Sequence, residues 1–340
     1  MIPLTPYTRQ PAPWQSALAA AVTDPAELLR LLELDAALLP AAKRASELFP
    51  LRVPRAYIDK MTKGDPNDPL LRQVLPLDAE FERPQGFAAD AVGDLASSLV
   101  PGVLHKYRGR VLLITTAACA VHCRFCFRRH FPYADQTAAR GQWDAALQWV
   151  ATNPDIGEVI LSGGDPLSLS DAKLGHLTAA IDAIPHIGRI RIHTRQPVVL
   201  PERVDDRLLE WLARLRSTAI IVLHVNHDKE IDSEFRHACQ RLRAAGTVLL
   251  NQAVLLRAVN DTGDTLVRLS EKLFDCGVMP YYLHLLDRVQ GTAHFEVPRA
   301  QAQALYAELL ARLPGYLVPK LVCERAGAPS KVPVPPLGSC

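Results

Sequence analysis

ITTAACAVHCRFCFRRHF, residues 114–131, places Cys119, Cys123 and Cys126 in the spacing C-x3-C-x2-C directly after a β-branched run. Three thiolates on one tight loop can hold three irons of a cubic [4Fe-4S] cluster. A complete thiolate shell needs four ligands, so such a cube keeps one iron open to another molecule. Two plainer readings fit the same letters. The cysteines could be part of a zinc site with His122 or His130 as fourth ligand, or buried thiols at chance spacing. The surrounding sequence has to decide.

Outward from the loop, aliphatic runs alternate with helical spacing. VLLITTA (111–117), EVILSGG (158–164), RIRIHTR (189–195), AIIVLHVNH (219–227), TVLLNQAVLL (247–256) and VMPYYLHLL (278–286) read as strands. Leu208, Leu212 and Leu215, then Leu266, Leu269 and Leu273, then Leu305, Leu309 and Leu313 read as helix faces. Six strand–helix units of about 30 residues predict a parallel α/β architecture. Near-continuous apolar strands imply a sheet covered on both faces. Polar residues collect where strands end, in GGDP, HTRQP, HVNH and HLLD. Sites of α/β sheets and barrels gather there.

Residues 1–105 read as a helical extension. VTDPAELLRLLEL carries Thr23 or Asp24 as N-cap and Pro25 in the first turn. LFPLRVPRAYIDKM and DPNDPLLRQVLP read as short proline-bounded helices. Residues 106–317 read as the α/β unit. Residues 318–340 read as a strand at VPKL followed by a proline-rich tail that cannot be helical.

The 340 residues are 49% apolar, enough for one large core with an appendage. A net charge of +2 gives no push toward nucleic acid. No run reaches the roughly 18 apolar residues of a membrane span. MIPLTPYTRQPAPWQ has no basic-then-apolar pattern of a secretory signal. Seven cysteines, an odd number, do not suggest a disulfide framework. A reducing cytoplasm fits, with Cys239, Cys276, Cys323 and Cys340 unpaired and the first two packed in helices.

Several further residues carry chemistry alongside a plainer reading. Gly163 and Gly164 in SGGDPL permit close backbone approach, or make an ordinary turn with Ser170 or Asp171 capping the next helix. Arg128 and Arg129 are a solvated pair or a carboxylate clamp. Arg110 opens a strand and can meet a phosphate. Lys331 in GAPSK is a surface lysine on a loose tail, or a Schiff-base lysine on a flexible arm. Asp287 is a helix cap and Glu324 a solvated charge, or the two receive a cationic side chain. His193, His224, His227 and His284 read as strand-end histidines satisfied locally.

In this order, these elements resemble the lysine 2,3-aminomutase family of radical S-adenosylmethionine (SAM) enzymes, from about Leu51 to Lys331. Phe125, just before the third cysteine, is the aromatic usual there. VTDPAELLRLLEL, LRVPRAYIDKM, DPLLRQVLP, VQGTAHF and GYLVPKL resemble the shorter EpmB type, which makes (R)-β-lysine for attachment to elongation factor P. The resemblance implies a partial (β/α)6 barrel, open on one side. It implies a [4Fe-4S] cluster on Cys119, Cys123 and Cys126, and pyridoxal 5′-phosphate (PLP) on Lys331. Arg110 then meets the PLP phosphate, with Tyr107 and Gln252 as further PLP contacts. Arg128 binds the lysine carboxylate, and Asp287 and Glu324 its ε-ammonium. SAM contacts Gly163, Gly164, Asp165, His193, Arg195 and Asn226. Glu324 stands where the full-length enzymes carry aspartate.

The implied reaction moves the amino group of L-lysine from C2 to C3. The implied partners are an external electron donor, elongation factor P with its lysyl-transferring enzyme, and a homo-oligomer. The chain ends at Cys340 without the zinc element of the full-length enzymes, so structural zinc and their tetramer are not expected. The competing expectations are a radical SAM enzyme without PLP, which would lack a yellow chromophore, and a zinc-stabilised binding protein, which would lack sulfide.

Overall fold

The aliphatic runs become strands because they are β-branched, bounded by turn residues and covered on both faces. In the computed structural model, which describes residues 12–136 and 143–337, they form one ten-stranded sheet in sequential order. The strands are β1 (Ser98–Val100), β2 (Val103–Tyr107), β3 (Arg110–Thr116), β4 (Glu158–Gly163) and β5 (Arg189–Thr194). They continue with β6 (Thr218–Leu223), β7 (Val248–Val254), β8 (Met279–His284), β9 (Lys320–Cys323) and β10 (Val332–Pro333). β1, β2 and β3 make an antiparallel meander. β3 through β9 are parallel neighbours, and β10 turns back antiparallel on β9. Among the described residues no pairing joins β1 to β10, so the barrel is partial, as the resemblance implied.

Helices between the strands bury one stripe against the sheet. Leu208, Trp211 and Leu212 do so in the helix Asp206–Ala213, and Leu266, Leu269 and Leu273 in the helix Gly263–Asp275. Each such side chain contributes about 1.5–3 kcal/mol of burial. Asp205 and Thr262 accept from backbone N–H groups at the two helix starts. Leu215 lies past its helix and is half-buried. Cys239 and Cys276 are buried free thiols in the packing, as expected, and Cys323 is also free; Cys340 lies outside the described residues.

The N-terminal segment contributes the helices Pro13–Ala19, Pro25–Leu31, Leu39–Leu48, Arg55–Ile58 and Pro69–Arg72. Asp24, not Thr23, caps the second through the Ala26 N–H. β1 and most of β2 also fall inside the stretch read as helical. The signal passed over was Pro101-Gly102, where Gly102 takes a φ of +83° in the connecting turn. This segment is fastened to the barrel mouth by long-range contacts. Lys60 Nζ donates to Val198 O and Glu230 O, each at 3.0 Å. No helix among the described residues is long and apolar enough to cross a membrane.

Candidate active site

A cavity of about 350 Å³ opens at the carboxyl ends of the parallel strands, and every residue to which the resemblance gives a role lines it, whereas Arg129 and His227 do not. The cysteine loop leaves β3 and crosses beside the end of β4. Gly164 N donates to Thr116 O at 2.7 Å, and Asp165 N to Ala118 O at 2.8 Å. A Cβ on Gly164 would stand 2.5 Å from Ala118 O, and one on Gly163, whose φ is +112°, 2.8 Å from Thr116 O. The close approach that these glycines permit is therefore made by the chain's own backbone, just before Cys119.

Burial pushes the Cys126 thiol up to about 11 and the Cys119 thiol well above its ordinary range. Cys123 Sγ instead accepts from Arg195 Nη1 at 2.8 Å. Among the described residues no three His, Cys, Asp or Glu side chains converge on a single-ion site. His122 Nδ1 lies 2.8 Å from Pro50 O and His130 Nε2 3.1 Å from Gln290 O. Neither histidine is grouped with the cysteines around a single point among the described residues.

Across the cavity, Lys331 sits immediately before β10. The β9–β10 hairpin brings its Nζ to Glu324 Oε2 at 2.8 Å, so it is not on a loose arm. Tyr107 Oη donates to Glu324 Oε1 at 2.7 Å. Burial alone would raise the Glu324 carboxyl, but Lys331 and Tyr107 hold it below its ordinary range. Asp287 has no carboxyl hydrogen bond or ion pair among the described residues. Desolvation, and then the Glu324 charge, push it from 3.8 up to about 7. One side of Asp287 faces the cavity, yet enough protein surrounds it for desolvation to dominate. The Arg110 guanidinium also has no anionic partner there and stacks over the Tyr107 ring at 4.7 Å.

Arg128 already holds a carboxylate. Its Nε donates to Asp94 Oδ2 at 2.7 Å and its Nη1 to Ser162 Oγ at 3.1 Å. Asp94 Oδ1 pairs with Lys106 Nζ at 2.5 Å. Sequence reasoning missed Asp94 and Lys106, since a lone acid in a loop has no spacing signal. Asp165 is engaged as well. Its carboxylate accepts from Thr194 Oγ1 and from the backbone N–H groups of Leu167, Arg195 and Gln196.

The Asn226 side chain is likewise engaged, donating to Gln73 Oε1 and accepting from Val254 N. The histidines depart from expectation. His227 Nδ1 is satisfied locally by Lys229 N. Among the described residues, His193, His224 and His284 each leave a buried Nε2 without a partner, as Gln252 leaves its Oε1. Burial holds all three imidazoles neutral, with His224 down to about 4. A side chain at a strand end that faces a cavity has no neighbouring backbone to satisfy it.

Residues 113–262 match the radical SAM superfamily. Over 322 residues the chain is 52% identical to an L-lysine 2,3-aminomutase of Escherichia coli (strain K12), covering 94% of each chain. It is 46% identical over 331 residues to that of Haemophilus influenzae, covering 97% of this chain and 98% of the relative. It is 36% identical over 281 residues to that of Clostridium subterminale, covering 82% of this chain and 67% of the longer relative. The chain belongs to the lysine 2,3-aminomutase family.

Lysine 2,3-aminomutases are isomerases, and membership implies a [4Fe-4S] cluster, SAM and PLP. The cavity fits all three. A cube presents separate irons to separate thiolates, so its ligands need not converge on one point as those of a zinc ion must. The unpartnered Arg110 guanidinium suits a phosphate. The unpartnered Gln252 Oε1 and histidine Nε2 atoms suit a polar ligand that fills the barrel mouth.

Proposed function

We propose that this chain is a radical SAM, PLP-dependent lysine 2,3-aminomutase that converts L-lysine to (R)-β-lysine for modification of elongation factor P in the cytoplasm. One observation carries the reading. Three cluster-type cysteines, a Schiff-base-type lysine and an unpaired, half-buried acid line one cavity. The bound groups supply a carbon radical that removes a β-hydrogen and a pyridine ring that lets the nitrogen migrate.

The protein's own residues supply placement. Cys119, Cys123 and Cys126 would hold the cluster, and Lys331 would hold PLP with Arg110 at its phosphate. Asp94 grips Arg128 at Nε and fixes the plane of its guanidinium. The Nη atoms then take the lysine carboxylate, with Ser162 steadying Nη1. Asp287 takes the ε-ammonium, while Glu324 shares that charge and receives the Lys331 ammonium whenever it is free. Clamped at both ends, lysine presents its β-carbon, and reacting atoms can be held about 3–3.5 Å apart. An uncharged amino acid would leave Asp287 buried without a cation and is rejected.

Gly163, Gly164 and His193 would meet SAM, and Gln252 would meet PLP, from the walls of the one cavity they line. Asp165, Arg195 and Asn226 line the same cavity and would complete the SAM contacts. We read 1–105 as an extension that lends two strands to the barrel of 106–317, and 318–340 as the tail that delivers Lys331.

Anaerobically reconstituted protein is incubated with lysine, SAM and dithionite, and the amino acids are separated by chromatography. β-Lysine that requires SAM and PLP is expected, and its absence from cluster-loaded protein refutes the reading. In Lys331→Ala, borohydride should no longer fix PLP to the chain, while the iron–sulfur spectrum is unchanged.

A further inference from the structure

Arg195 is buried at the back of the cysteine loop, and its contacts lead away from the substrate. Nη1 donates to Cys123 Sγ at 2.8 Å. Nη2 donates to Gln73 Oε1 at 2.6 Å, Tyr57 Oη at 3.0 Å and Glu230 Oε2 at 3.2 Å. The other Glu230 oxygen accepts from Gln73 Nε2 and from the N–H groups of Asn226 and His227, each at 3.1 Å. Gln73 O accepts from Arg124 N at 2.9 Å, inside the cysteine loop itself. Gln73, Glu230 and Tyr57 have no exposed surface and do not line the cavity, although Arg195 does.

The N-terminal extension, the segment after β6 and the cysteine loop therefore meet on one guanidinium. An N–H group aimed at a cluster sulfur stabilises the electron density that reduction adds there, and outer partners fix that donor's orientation. We propose that Glu230 and Gln73 are positioning residues that hold Arg195 against the Cys123 sulfur and so set how readily the cluster accepts its electron. The proposal rests on Cys123 being a cluster ligand, as read above.

Charge and positioning predict opposite signs for one substitution. Glu230 is negative, so Glu230→Gln with Arg195 unmoved would make reduction easier. If Glu230 instead acts by holding Arg195, the same change weakens the contact with sulfur and makes reduction harder. Gln73→Met alters no charge and should also make reduction harder. Tyr57→Phe, which removes only one acceptor, should act in the same direction by less.

The test is a redox titration of the anaerobically reconstituted full chain, following the electron paramagnetic resonance of the reduced cluster, with iron and sulfide content measured in parallel. Midpoints more negative than wild type in Glu230→Gln and Gln73→Met, at wild-type cluster content, are expected. An unchanged midpoint, or a less negative one in Glu230→Gln, overturns the proposal. If those two proteins do not fold, Tyr57→Phe decides by the same criterion. Wild-type protein that binds no iron and sulfide would instead remove the cluster assignment, a separate failure.

Discussion

Asp287→Asn should stabilise the PLP-free protein in alkaline solution and have little effect in acid. The carboxyl is raised from 3.8 to about 7 in the folded chain, chiefly by desolvation and then by Glu324. A carboxyl raised on folding contributes stability that is complete below its unfolded pKa and is lost as pH rises through the folded one. A shift of about three units, at about 1.36 kcal/mol per unit, amounts to roughly 4 kcal/mol across the full window. Between about pH 5 and pH 8.5 the linkage leaves roughly 2–3 kcal/mol of it. Asparagine keeps the shape and removes the charge, so the variant's advantage over wild type should grow by that amount between those two pH values. Urea unfolding of both proteins, followed by far-UV circular dichroism, measures it. An advantage that does not change with pH would show that Asp287 is already ionised through some other cation, and the argument that it awaits the ε-ammonium would fail. The same variant should turn over lysine poorly, because the gained stability comes from the unpaired charge that selects the substrate.

Glu324→Gln removes the second-largest cause of the Asp287 shift, so its pH-dependent loss of stability should be smaller than wild type's over the same range. Gly164→Ala sets a methyl 2.5 Å from Ala118 O, a clash with backbone that has no side-chain rotation to relieve it. It should cost at least about 1–3 kcal/mol in thermal unfolding and lower the iron incorporated by the neighbouring loop. Glu80→Gln breaks a fully buried carboxylate away from Arg124 and Arg129, which it meets at 2.5 and 2.6 Å, and should cost about 3–5 kcal/mol in urea unfolding.

What could be read in advance was chemistry carried by neighbours in the chain. Cys119, Cys123 and Cys126 are so close in sequence that any loop presents them together. The strands β3 to β8 announce themselves because a strand buried on both faces must be apolar throughout. Contacts made by folding leave no such trace. Asp94 reaches Arg128 across 34 residues, and Gln73 reaches Glu230 across 157. Each is a single polar residue in an ordinary helix or loop, so only the assembled barrel shows that it is buried and paired. Gly163 and Gly164 fall between the two cases. A glycine pair after a strand signals that something comes close, yet the sequence has no way to say whether that is a ligand or the preceding strand's own backbone. The histidines show the same limit in reverse. Local satisfaction is the reasonable expectation for a strand-end imidazole, and it failed at His193, His224 and His284 because an open barrel mouth takes away the backbone that would have met them. The residues hardest to read were therefore those facing or bracing the cavity, whose partners arrive from distant segments or with the ligands that the cavity is built to hold.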